Sequence, residues 1–122
     1  MTGHGTLVSR TLESTVSNLT RAAPVFAALG DPTRLELVIR LSHGGPQSIV
    51  RLTDGTTVSR QAVTKHLHAL ARAGLVKSTR EGRERIWSIR AKRLADARRY
   101  LDAISAQWDG AIERLRAHVE RD

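Results

Sequence analysis

Ser59-Arg60-Gln61-Ala62-Val63-Thr64-Lys65-His66-Leu67-His68-Ala69-Leu70-Ala71-Arg72-Ala73-Gly74 is the stretch on which the fold of this chain turns. Ser59 offers a hydroxyl that can accept from the free backbone N–H groups at the start of a helix, and Gly74 permits the left-handed backbone that ends one. Between them Val63, Leu67 and Leu70, with Ala62 and Ala71 beside them, recur at helical steps and make one apolar stripe. The other face is polar throughout: Arg60, Gln61, Thr64, Lys65, His68 and Arg72, with no carboxylate anywhere in the helix. Long cations and a bidentate amide in the first two turns suit phosphates and base edges in a DNA major groove, although a polar helix face is as often simply solvated.

The distribution of charge decides between those two readings. Lys and Arg number 20 against 12 Asp and Glu, a formal net charge of +8. From Ser59 to Arg93 ten cations (Arg60, Lys65, Arg72, Lys77, Arg80, Arg83, Arg85, Arg90, Lys92, Arg93) face only Glu81 and Glu84, so this segment alone carries +8 and the remainder sums to zero. A basic excess confined to one contiguous segment is the electrostatic footprint of a polyanion partner.

Length and composition narrow the rest. The 122 residues suit a single domain with a modest core. No cysteine is present, which excludes disulfides, thiolate metal sites and a cysteine nucleophile. The longest apolar run, Ala22 to Leu29, contains Pro24 and falls far short of the roughly 20 residues a bilayer requires. No basic-then-apolar leader opens the sequence, so a cytoplasmic protein without a membrane partner is expected.

Upstream, residues 1–18 read as a flexible start followed by a helical arm, and 19–122 as the folded unit. Leu12, Val16 and Leu19 make a thin apolar stripe on that arm. Pro24 is expected to interrupt the arm or to begin a further helix across Val25 to Leu29. In Gly30-Asp31-Pro32-Thr33-Arg34 the glycine closes one helix, Asp31 caps the next and Pro32 takes its first position, where the missing donor is harmless. Leu35, Val38, Ile39 and Leu41 then mark a buried helix that stops at Gly44-Gly45-Pro46. Gln47 to Leu52 gives a short element ended by Asp54-Gly55, and with the Ser59 helix it completes a helix-turn-helix whose second helix is the candidate reader.

Downstream of Gly74 the periodicity changes. Leu75 to Arg80 and Glu84 to Ile89 favour strands, with Glu81-Gly82-Arg83 as the tip of a hairpin. In the second strand Trp87 and Ile89 should face the core. Packing is the better account of Trp87, because one aromatic makes no stacking platform. Arg80, Arg83 and Arg85 crowd the tip, where a ribbon could lay them along a DNA backbone or minor groove. Ala91 to Asp122 reads as one helix, in which Leu94, Ala97, Leu101, Ile104, Trp108, Ala111 and Leu115 alternate steps of three and four, widened by Ile112 and Val119. That seam runs beyond what a small winged unit can cover, which points to pairing across a two-fold axis together with the Leu7 to Leu19 arm.

Phe26-Ala27-Ala28-Leu29-Gly30-Asp31-Pro32-Thr33-Arg34-Leu35, the Ser59 to Leu70 run and Ala73-Gly74-Leu75-Val76, with Gly82-Arg83 and Trp87-Ser88-Ile89, resemble the ArsR-type family of winged helix-turn-helix transcriptional repressors over roughly Leu19 to Val119. The resemblance implies a mainly α fold with a small β-hairpin. It also implies a homodimer that binds an inverted repeat in double-stranded promoter DNA and is joined through its first and last helices. The expected DNA contacts are Ser59, Arg60, Gln61, Thr64, Lys65, His68, Arg80, Arg83 and Arg85. The expected dimer interface is Leu12, Val16, Leu19, Leu101, Ile104, Trp108, Ile112 and Leu115.

The chain departs from metal-sensing members of that family. Where one group carries a cysteine motif, this sequence has Val50-Arg51-Leu52-Thr53-Asp54; where another places His and carboxylate ligands on the last helix, it has Asp109, Glu113, His118 and Glu120, with a single histidine and a spacing that does not align as a chelate. A non-metal-sensing member with no cofactor is expected. His66 is placed as a packed or boundary residue, and no serine sits in a Gly-flanked nucleophile turn, so an enzyme is not expected. Two other functions stay open: a regulator responsive to a small ligand, and a winged-helix module whose basic patch binds an acidic protein.

Overall fold

The computed structural model describes residues 13–14, 17 and 20–121. The expected interface residues Leu12, Val16 and Leu19 lie outside them. Helix α1 spans residues 20–29 and presents Ala22, Val25 and Ala28 to the core at helical spacing. It passes through Pro24, contrary to the expected break. Pro24 is exposed, and the face buried on either side of it carries the helix past the one backbone hydrogen bond a proline removes.

Helix α2, Pro32–Gly44, starts as anticipated: the Asp31 side chain accepts from the Arg34 N–H at 3.0 Å, and Pro32 occupies the first turn. Its end is set by Gly45, at φ 73°, whose N–H returns to the Leu41 carbonyl. Of the stripe expected from sequence Val38 and Leu41 are buried, and Leu37 completes the buried face in place of Leu35 and Ile39. Leu35 and Ile39 are 44% and 49% exposed. The apolar arc of α2 is wider than the face its neighbours cover, and the one-turn pair Leu35/Ile39 falls on the uncovered side.

Strand β1 (Gln47–Ser48) leads directly into α3 (Ile49–Thr53), whose first turn is capped by the Ser48 hydroxyl, accepting from Arg51 N–H at 3.3 Å. Helix α4 (Arg60–Arg72) follows, capped by Ser59 accepting from Ala62 N–H at 3.1 Å and released by Gly74 at φ +79°. Strands β2 (Val76–Glu81) and β3 (Glu84–Ile89) then form the hairpin, and α5 (Ala91–Arg121) closes the described chain. The tip is tighter than expected. Glu81 pairs with Glu84, leaving Gly82-Arg83 as a two-residue turn with Gly82 at φ +63°.

The sheet has three strands, ordered β1-β3-β2 and antiparallel throughout. β1 was not separated from its helix in the sequence, because two residues carry no period; its pairing with Trp87 and Ile86 is a tertiary event. Inside the wedge between this sheet, α2, α3 and α4, the side chains of Trp87, Leu52, Leu67, Leu70, Leu75, Val63 and Val76 are all but sealed from solvent. Leu94 and Ala97 attach the start of α5 to that core. Beyond them α5 leaves it: Leu101, Trp108, Ile112, Leu115 and Val119 are exposed, and Ile104 is half-buried.

Candidate nucleic-acid interface

The amphipathic split of α4 fixes which side chains are available. Val63, Leu67 and Leu70 are buried, so Arg60, Gln61, Lys65, His68 and Arg72 are turned outward and exposed, with Thr64 half-buried. Two of the expected contact residues already have local duties. The Ser59 hydroxyl caps the helix by accepting from Ala62 N–H, and the Thr64 hydroxyl donates to the Arg60 carbonyl at 2.9 Å, which leaves Ser59 its O–H donor and Thr64 its oxygen lone pairs for a further partner. His68 lies edge-on to the Trp87 indole, with ring centroids 5.5 Å apart, which holds it at the foot of the hairpin.

The strand register places the wing relative to that helix. Side chains alternate across a ribbon, so Arg85 shares a face with Trp87, and Arg80, opposite Arg85, shares it too. Since Trp87 meets His68 of α4, the Arg80/Arg85 face is the one toward the reader helix. Like charges directly opposite repel. Here Arg85 is drawn diagonally, its Nη1 donating to Ser78 Oγ at 2.9 Å, while Arg83 stands at the exposed turn.

Ion pairs within 4.0 Å among the described residues join Glu36 to Arg40, Asp31 to His66, Asp96 to Arg99 and Glu113 to Arg116. None uses Arg60, Lys65, Arg80, Arg83 or Arg85. The reader face and wing therefore keep a net positive charge that no close ion pair holds, although Glu81 and Glu84 stand at the wing, and that excess attracts phosphates.

Between α3, the first residue of α4 and the start of β3 lies a cleft of about 490 Å³ lined by Ser48, Val50, Arg51, Thr53, Asp54, Arg60 and Glu84. It brings Arg51 beside Arg60. Arg51 lies outside the basic Ser59–Arg93 segment, and its signal in the sequence is its place on the first helix of a helix-turn-helix, the one that crosses the backbone. Glu84 in the same cleft repels phosphate but can accept from a base amino group.

A polar hinge supports α4 from behind. Arg34 Nε donates to the Ala28 carbonyl at 2.7 Å, its Nη1 lies 3.4 Å from His66 Nδ1, and Asp31 Oδ1 lies 4.0 Å from that same nitrogen. His66 is thus a boundary residue, as expected, tying α4 to the α1–α2 junction. The Arg34 backbone N–H holds the Asp31 carboxyl below the ordinary aspartate range; burial opposes this, and the charges of His66 and Arg34 add to it. Among the described residues no three His, Cys, Asp or Glu side chains come together as a metal site, and no helix is long and apolar enough to cross a membrane.

Comparison with known proteins agrees with this geometry. A helix-turn-helix domain family matches residues 29–79. An HTH-type transcriptional regulator of Mycobacterium tuberculosis is 40% identical over 87 residues, covering 71% of this chain and 78% of the relative. An ArsR-like transcriptional regulator from Rhodococcus sp. RHA1 superposes with a TM-score of 0.69 at 38% identity, over 81% of this chain and 92% of that one. The homodimeric winged helix-turn-helix DNA-binding domain of a Mycobacterium bovis protein superposes with a TM-score of 0.59 at 26% identity, over 75% and 83% of the two chains.

Proposed function

This chain belongs to the ArsR family of winged helix-turn-helix transcriptional regulators, DNA-binding proteins and not enzymes, and from that premise we propose that it acts as a cytoplasmic homodimeric repressor of an inverted-repeat operator. The observation that supports this is the adjacency of two cationic surfaces: His68 on the polar face of α4 meets Trp87, whose strand face also carries Arg85 and, across the ladder, Arg80, and none of Arg60, Lys65, Arg80, Arg83 and Arg85 is in an ion pair within 4.0 Å among the described residues. One duplex laid against that side meets Arg60, Gln61, Thr64, Lys65 and His68 in its major groove and Arg80, Arg83 and Arg85 on the adjoining backbone or minor groove. Occupying a promoter in this way is enough to exclude a polymerase.

Dimerisation supplies the second half-site. The exposed stripe of α5, Leu101, Trp108, Ile112 and Leu115 with half-buried Ile104, is an apolar face of the kind a second copy covers, and the Mycobacterium bovis relative is homodimeric. We assign residues 19–122 to the winged unit with its pairing helix. Two reader helices then address major-groove segments one helical turn, about 34 Å, apart.

The test is fluorescence anisotropy on DNA from upstream of the protein's own gene and on scrambled DNA of equal length, over a range of salt. A preference of about a thousandfold or more for the upstream DNA, retained at physiological salt, is the expected result. Weak binding, equal on both and vanishing with salt, would leave the basic face to an acidic protein partner instead.

A further inference from the structure

The ten cations crowded between Ser59 and Arg93 do not share one surface. Arg90, Lys92 and Arg93 stand where β3 passes into α5, and with Gly74 and Asp96 they line a notch of about 290 Å³. The junction is braced against the end of α4: the Arg90 N–H donates to the Leu75 carbonyl at 2.8 Å. Gly74 holds φ +79°, and a Cβ built on it would come within 3.2 Å of the Arg93 side chain, so the arginine stem runs close over the glycine.

Three cations in four successive residues repel one another, and among the described residues none has an acceptor for its side chain. Asp96, the only carboxylate in the lining, is taken by Arg99, and no acidic residue stands in the first turn of α5. The lining is therefore net positive and lacks a counter-ion of its own. Guanidinium forks and an ammonium on exposed side chains that line one concavity can reach the oxygens of a phosphate group.

The notch sits beyond the DNA-contacting surface along both elements. It lies at the base of the hairpin, about 17 Å of strand from the Gly82-Arg83 tip, and past the end of α4, about 20 Å of helix from Arg60 and about 9 Å from His68. Its volume is at the bottom of the range of about 300–1,000 Å³ typical of ligand pockets, which favours a small occupant. We propose that this notch binds a small phosphate-bearing anion, at a site separate from the one that holds DNA. Because Gly74 directly follows the reader helix, such an anion would join that helix to α5, and only this regulatory consequence rests on the DNA-binding function.

Pyrophosphate is the probe, titrated into the full chain by calorimetry at constant ionic strength and mapped by amide chemical shifts. Saturable binding with shifts concentrated at Gly74, Lys92 and Arg93 is expected. Arg93→Ala and Lys92→Gln, both at exposed positions, should each weaken it at least about tenfold, while Arg83→Ala at the wing tip leaves it unchanged. Shifts that never saturate, or that spread equally over wing and reader helix, overturn the site, as does unchanged binding in both variants. With duplex DNA present, a ternary complex is expected, so that any effect of pyrophosphate on DNA affinity reaches a plateau. Mutual exclusion without limit would assign the notch to the DNA backbone and overturn the proposal. A failure of DNA recognition itself would appear separately, as absent operator binding with the pyrophosphate isotherm intact.

Discussion

Asp31 shows how much one side chain can hold together. It caps α2, faces His66 on the reader helix and stands beside Arg34, which reaches the last carbonyls of α1. Its pKa is lowered below 3.8 in the folded protein, so the stability it contributes is present above the unfolded value and is lost as pH falls through the lower folded value. Thermal melts from about pH 2 to 6 should therefore show the wild-type transition temperature dropping more steeply below about pH 4 than that of Asp31→Asn. Parallel curves would remove Asp31 from acid stability. Ser59 does simpler work at the start of α4, and Ser59→Ala should lower unfolding free energy by about 1 kcal/mol in urea titrations, with DNA affinity falling because the first turn of the reader helix frays.

At the scale of elements, reader helix and wing are expected to contribute different kinds of binding energy. Arg60 and Gln61 open α4 with side chains long enough for bidentate base contacts, so Arg60→Ala or Gln61→Ala should relax sequence preference by about 1–3 kcal/mol at one operator position. If both variants kept the wild-type ranking of operator mutants, the reader face would be misplaced. Arg83 sits on the turn, where a backbone contact carries no base information, and Arg83→Ala should weaken all sequences alike and reduce the salt slope by about 1. The turn itself depends on Gly82. Its φ of +63° lies where side chains are strained, yet nothing lies within 4 Å of a Cβ there, so Gly82→Val should disturb the wing through the backbone alone. Its DNA affinity should fall while the helical circular-dichroism signal is kept.

For the whole molecule the question is what covers α5. Trp108 and Leu115 are 65% and 64% exposed in the isolated chain, an arrangement that favours association over solvation. The two tryptophans allow a direct measurement, because Trp87 is buried in the core and Trp108 is not. In Trp87→Phe the remaining indole should shift its emission to the blue as protein concentration is raised through the dimerisation range. The substitution should fold, since the Trp87 Nε1 donor has no partner among the described residues and its removal offsets part of the lost packing. Leu115→Glu should sediment as a monomer and bind a two-half-site operator at least about a hundredfold more weakly, as expected when two linked contacts become one.

Much of this was legible in the chain because the signals were local. Asp31-Pro32, Ser59 and Gly74 specify helix ends through hydrogen bonds and backbone angles made within a few residues, and the Val63/Leu67/Leu70 stripe assigns the inner face of α4 by spacing alone. The confinement of positive charge to Ser59–Arg93 likewise follows from order in sequence. What sequence could not decide was which apolar and charged residues share a neighbour. Leu35 and Ile39 have the period of core residues, yet the wedge of α3, α4 and sheet ends before reaching them; Pro24 stays helical because α1 is buried on both sides of it; β1 exists only through its pairing with β3. The same holds for charge. Ten cations in one stretch read as one patch, and the folded chain spreads them, with Arg60 at the start of α4, Arg80, Arg83 and Arg85 on the wing and Arg90, Lys92 and Arg93 at the notch, because a helix and a hairpin of six-residue strands carry their two ends about 20 Å apart. Local geometry is written in consecutive residues. Contact between distant ones depends on burial, which only the assembled elements define.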